Sequence, residues 1–105
     1  MIIVTTENVA GYRVVETKEL IFAAAMHSYD VGQGFFKLET NAAVETLETT
    51  RARAIYRLAT KAQEMGANAI ILIRFDSAGI APSGGTAGWS EIVAYGTAVV
   101  LEPVA

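Results

Sequence analysis

Few residues in this chain carry side chains that could do chemistry. His27 is the single histidine among 105 residues, and there is no cysteine. An imidazole can ligate a metal ion or carry a proton, yet either role needs partners such as Asp30, Glu39, Asp76 or Glu91 brought to it by the fold. None of these stands at a local ligand spacing from His27. A lone histidine at a strand end serves equally well as a hydrogen-bonded structural residue. His27 is the metal candidate, and a divalent ion is the cofactor it would help hold. Met26 lies in an apolar run and Met65 on a helical apolar face, so both read as packing rather than soft-metal ligands.

Three further positions are candidates for ligand binding. Helical spacing sets Arg51 between Leu47 and Ile55, inside an apolar stripe where an unpaired guanidinium would be costly to bury. It calls for a partner: a salt bridge to Glu48 or Asp76, or an anion. Arg74 and Asp76 share one side of a strand about 7 Å apart, close enough for a third charged group to bridge them, or for each to pair across strands. Trp89 follows a glycine-rich segment and could stack on a planar ligand or pack on the sheet edge.

Other chemistry is not supported. The segment SGGTAG, residues 83–88, lacks the Lys-Ser/Thr ending of a phosphate loop, and a strand follows where a helix should begin. There is no G-x-S-x-G elbow and no H-E-x-x-H helix. No nucleophile, base and orienting group fall together, so the chain does not read as an enzyme. Arg53, Arg57 and Lys61 form a basic row at helical spacing, which reads as a solvated face. A formal charge of -3 gives no general attraction to phosphate backbones or anionic lipid, and nucleic acid and membranes are not expected partners.

These residues must be positioned by a single domain, residues 1–105. The chain is long enough to close one core and too short for two. Hydrophobic residues make up 52% and charged residues 18%, a balance that excludes disorder. The longest apolar run, Leu20 to Met26, is far below the roughly 20 residues of a membrane helix. The opening residues lack the pattern of a signal peptide, and a cytoplasmic location is expected.

Ile2 to Thr5 reads as a short strand. Tyr12 to Ser28 reads as either one long strand broken by a bulge near Lys18, or two strands joined by a turn. Asp30 to Gly34 reads as a turn, and Phe35 to Thr40 as a helical turn or loop. From Asn41 to Gly66, Val44, Leu47, Ala54, Ile55, Leu58, Ala62 and Met65 recur at helical spacing. Thr40 or Asn41 can cap the helix start, Glu45 and Glu48 suit its positive end, and Gly66 supplies a left-handed stop. Ala69 to Asp76 and Glu91 to Leu101 read as strands joined by a long loop, Ser77 to Ser90. The fold class is α+β: an antiparallel sheet with one long helix packed on one face.

The strands carry apolar residues on both sides. In the last, Ile92, Ala94, Gly96, Ala98 and Val100 oppose Val93, Tyr95, Thr97, Val99 and Leu101; in the one before, Ile71, Ile73 and Phe75 oppose Ile70 and Leu72. One helix covers one face, and an open apolar face needs another cover. A homo-oligomer supplies it, with copies burying the second face or continuing the sheet edge to edge; the alternative is that the N-terminal strands fold over it.

The opening MIIVTTENVAGYRVVETKEL, the helix end MGANAI (Met65 to Ile70), the strand IRFD (Ile73 to Asp76) and the closing EIVAYGTAVVLEP (Glu91 to Pro103) resemble the YbjQ family, also labelled UPF0145 or DUF74. Two segments depart from its pattern: FFKLETNAA (Phe35 to Ala43) is shorter, and the glycine-rich loop is longer. The resemblance implies a dodecin-subunit-like fold assembling as a ring oligomer, a pentamer, with a heavy-metal-binding label and otherwise uncharacterised biochemistry. Two readings follow: a ring binding a metal or small ligand at subunit junctions, and a structural or protein-interaction module presenting the glycine-rich loop, residues 77–90, with Trp89.

Overall fold

The computed structural model describes residues 1–30, 40–80 and 87–105, with side chains described over 1–26, 47–77 and 91–105. The elements run β1 (Ile2–Ile3), β2 (Tyr12–Asp30), α1 (Thr40–Glu64), β3 (Ala69–Ile80) and β4 (Ala87–Pro103). The strands form one sheet in the order β1-β3-β4-β2. β4 is antiparallel to both β2 and β3, while β1 is parallel to β3. The sheet is therefore mixed, which corrects the antiparallel expectation. The parallel pair is short, holding Ile2 beside Ala69 and Ile3 beside Ile70.

β2 is a single 19-residue strand. It absorbs its polar interruption with two register shifts against β4, leaving Val15 and Lys18 as extra residues. The loop expected over Ser77 to Ser90 is mostly ladder: Ser77 pairs with Ile92, Gly79 with Ser90 and Ile80 with Trp89. Small and polar residues hid a strand whose backbone is paired on the β4 side. Residues 81–86, and the turn expected over residues 30–34 with its continuation to 39, lie outside the described residues apart from their strand and helix ends.

α1 begins at Thr40 and has no acidic residue in its first turn, so Glu45 and Glu48 stand too far along to serve its positive end. Its far end closes as a Schellman motif. Ala67 N–H donates to the Ala62 carbonyl and Gly66 N–H to that of Gln63, with Gly66 at φ 84°.

The helix packs chiefly on β2 and β4 and barely reaches β3. Thr50, Ala54, Leu58 and Ala62 form its fully buried line, against Ala23, Ala25, Ala94 and Ala98 from the sheet. Alanines on both sides let the layers approach closely. Ala54, Leu58 and Ala62 hold the expected stripe with Ile55 and Met65 packed against it, whereas Leu47 is 40% exposed and Thr50 takes the buried place in that part of the helix. On the opposite face Ile2, Val4 and Val9 cover Ala69, Ile71, Val99 and Leu101. The N-terminal segment thus folds over part of the second face.

A bulge in β3 sets its faces. Ile71 pairs with Thr97 and Arg74 with Tyr95, so Leu72 and Ile73 together oppose Gly96. Ile70 and Ile73 both enter the helix-side core, whereas Ile71 joins the other side. Strict alternation had grouped Ile71 with Ile73, and the extra residue overturns that.

Candidate functional site

Arg51 does not sit in the buried stripe. It is exposed, and its guanidinium lies 5.9 Å from the ring centroid of Phe75 on β3. This cation–π contact satisfies it without the expected salt bridge to Glu48 or Asp76. Arg74 is also exposed and donates to the carbonyls of Thr5 and Ile73 at 3.0 and 2.8 Å. It ties the N-terminal segment to the bulge. Asp76 is exposed and has no ion-pair partner among the described residues. The backbones of His27 and Trp89 stand one register position out of step, His27 opposite Ser90 and Trp89 opposite Ser28. Their side chains lie outside the described ones.

A different site emerges between α1 and the outer edge of β2. Backbone groups at an open edge seek partners. Two basic side chains supply them: Arg57 donates to the Ala24 carbonyl at 2.8 Å, and Lys61 to the Phe22 carbonyl at 2.7 Å. Lys61 also lies 5.4 Å from the Phe22 ring centroid. The basic row is exposed, as expected of a solvated face, and two of its members, Arg57 and Lys61, also clasp the sheet edge.

Two clefts meet along this clasp and share Lys61 and Glu64. One, of about 400 Å³, is lined by Glu19, Ile21, Phe22 and Met65 besides the shared pair. The other, of about 480 Å³, adds Ala24, Tyr56, Arg57 and Thr60. Together they make a groove within the size range of small-ligand sites. Its polar groups are two carboxylates, a thioether, two cations and two hydroxyls. Among the described residues no cluster of three or more His, Cys, Asp or Glu side chains could hold a metal ion. Glu19, Glu64 and Met65 offer two carboxylates and one soft sulfur, an incomplete set without ligands from elsewhere.

Sequence reasoning missed this groove. The signal available was the i, i+4 pair Arg57 and Lys61 beside a strand that could end a sheet, a known way of blunting edges. Nothing in the spacing told which strand would be the edge.

Among the described residues no helix is long and apolar enough to cross a membrane. A family model described as "Putative heavy-metal-binding" matches residues 1–102. A UPF0145 protein of Bradyrhizobium sp. (strain ORS 278) is 44% identical over 98% of this chain and 95% of its own length. One from Pseudothermotoga lettingae is 33% identical over 99% of this chain and 100% of its own. A crystal structure of a DUF74 protein of unknown function from Pediococcus pentosaceus superposes with a TM-score of 0.74, covering 97% of this chain and 98% of that one at 19% identity. That likeness shows the shared α+β fold. The end-to-end match of the family model and of these relatives places the chain in the YbjQ family, the UPF0145 proteins.

Proposed function

We propose that this chain is the subunit of a homo-oligomer, a ring with five copies the expected number, that binds a metal ion or small ligand where subunits meet. The observation that carries this reading is the state of β2. Ile21, Ala23 and Ala25 are buried under the helix, while Leu20, Phe22 and Met26 on its other side are 66%, 63% and 54% exposed. An edge strand with a row of large apolar side chains in water is an association surface. The groove beside it supplies Glu19, Glu64 and Met65, a partial donor set that a neighbouring subunit would complete. Oxygen donors suit hard divalent ions and the thioether suits soft ones, so metal preference follows from what the neighbour adds.

Isothermal titration of the oligomer with zinc, copper, nickel and cadmium tests the metal reading. Binding of at least one ion is expected, weakened about tenfold by Glu64→Ala, the scale on which lost support of a metal site is felt. His27→Ala tests the other candidate ligand. Absence of heat with all four ions would contradict metal binding and leave an uncharged or anionic ligand for Lys61 and Arg57.

A further inference from the structure

We infer that the groove between α1 and β2 takes a linear zwitterion of the ω-amino acid class, lying along β2 with its carboxylate at Arg57 and Lys61 and its ammonium at Glu19 and Glu64. This deepens the small-ligand side of the proposed function and does not depend on the metal side.

The carboxylate end is a site of donors whose competing acceptors are already occupied. Arg57 and Lys61 stand one helical turn apart and hold the Ala24 and Phe22 carbonyls at 2.8 and 2.7 Å. Those carbonyls point away from β4, and in an antiparallel ladder a residue's N–H points the same way as its C=O. β2 has no strand on its outer side among the described residues, so the Phe22 and Ala24 N–H groups face outward with no backbone partner there. The carbonyls that would repel an anion are thus covered by the cations themselves. Neither cation has an ion-pair partner among the described residues, and each uses one donor on the strand. Their remaining donors, the two backbone N–H groups and the Tyr56 hydroxyl suit a carboxylate.

The ammonium end lies on the same side of the sheet. Glu19 pairs with Ala98, which is buried in the helix-side core, so Glu19 faces the side of α1, where Glu64 lines the same cleft. Both glutamates are exposed, and neither has an ion-pair partner among the described residues. Lys61, three residues before Glu64, could neutralise it, but its ammonium is turned to the Phe22 carbonyl and ring. The strand edge therefore keeps the opposite charges of the groove from pairing with each other. One cleft carries two cations and one carboxylate, the other two carboxylates and one cation. The groove is dipolar along its length.

Spacing and lining select the ligand. At 1.5 Å of rise per residue, Glu64 lies about 10 Å beyond Arg57 and about 5 Å beyond Lys61 along the helix. An α-amino acid carries its charges too close together to reach both ends, and a bare metal ion would use only one. Between the ends the wall is Ile21, Phe22 and Met65, apolar groups that suit methylenes better than the amides of a peptide.

Titration of the isotopically labelled protein with 6-aminohexanoate, followed by nuclear magnetic resonance, tests this. Saturable shifts of the Phe22 and Ala24 amide signals are expected, with hexanoate and hexylamine each binding at least about tenfold more weakly, since each lacks one charge-assisted contact. Glu19→Gln with Glu64→Gln should weaken 6-aminohexanoate about tenfold and leave hexanoate no weaker, a pattern that loss of folding cannot give. Arg57→Gln should weaken both. Hexanoate or triglycine binding wild type as tightly as 6-aminohexanoate, or no saturable shift at Phe22 and Ala24, overturns the inference. Native mass spectrometry of the same samples separates the two readings. An oligomer that ignores 6-aminohexanoate overturns this inference alone, and a monomer that binds it overturns the homo-oligomer reading alone.

Discussion

At the scale of single residues, the most constrained point is the bulge where Leu72 and Ile73 face Gly96. Leu72 has φ 55°, a left-handed backbone that branched and bulky side chains resist. It is held there by its own N–H donating to the Thr6 carbonyl and by Ile73 N–H donating to that of Val4. A β-carbon on Gly96 would come within 2.8 Å of Ile70 Cγ2 and 3.0 Å of the Ile71 carbonyl oxygen. Backbone cannot yield as a side-chain tip can. Gly96→Ala should lower stability by about 1–3 kcal/mol, read as a fall in melting temperature of roughly 4–8 °C per kcal/mol. An unchanged melting temperature would show that the bulge is not packed as described. Leu72→Val, an ordinarily mild change, should also cost about 1–3 kcal/mol, because β-branching sharpens the backbone strain, whereas Leu72→Asn should cost less. Chemical denaturation of the two variants side by side checks the order. The sequence showed an apolar strand here and hid the bulge, since Ile-Leu-Ile alternates or bulges with equal ease until a partner strand decides. Arg51 shows the same limit: its type was legible, but spacing alone set an exposed stacking arginine among the buried residues.

Among elements, the joint between α1 and β3 does the most with the fewest atoms. Asn68 stands just after the Schellman turn and reaches Leu101 of β4 twice, its side-chain nitrogen donating to the carbonyl at 2.9 Å and its oxygen accepting the N–H at 2.8 Å. One side chain thereby extends the β3–β4 ladder by a step and fixes where the helix delivers the next strand. Asn68→Ala leaves a part-buried N–H and carbonyl without these partners. The expected loss is about 2 kcal/mol, from two hydrogen bonds of about 1 kcal/mol each, measured by urea unfolding; a loss below a few tenths would remove Asn68 from this role. The helix and the main strands were legible because periods of 3.6 and 2 are written in apolar residues. The strand ends at 77–80 and 87–90 were not, because glycine, serine and alanine carry no such pattern. The parallel β1 was legible as a strand and not as a direction, since two isoleucines pair either way. The candidate groove was the least legible feature: it depends on β2 being the edge, a property of sheet order.

The whole molecule is elongated. Its radius of gyration is 17.3 Å and its dimensions 58 × 23 × 18 Å, against about 13 Å expected for a compact chain of this length. The N-terminal segment shields part of the second face, the within-chain cover that the pattern offered as the alternative to a second copy. In the proposed assembly another copy covers the exposed Leu20, Phe22 and Met26 of the edge strand β2. The proposed state of this chain is one part of an assembly. Native mass spectrometry of the untagged protein tests it most directly, reporting subunit count and bound mass together. The account predicts a closed oligomer at a whole multiple of 11.2 kDa, five being the expected number, with bound ligand adding mass per junction. A single species at 11.2 kDa across micromolar concentrations would contradict it.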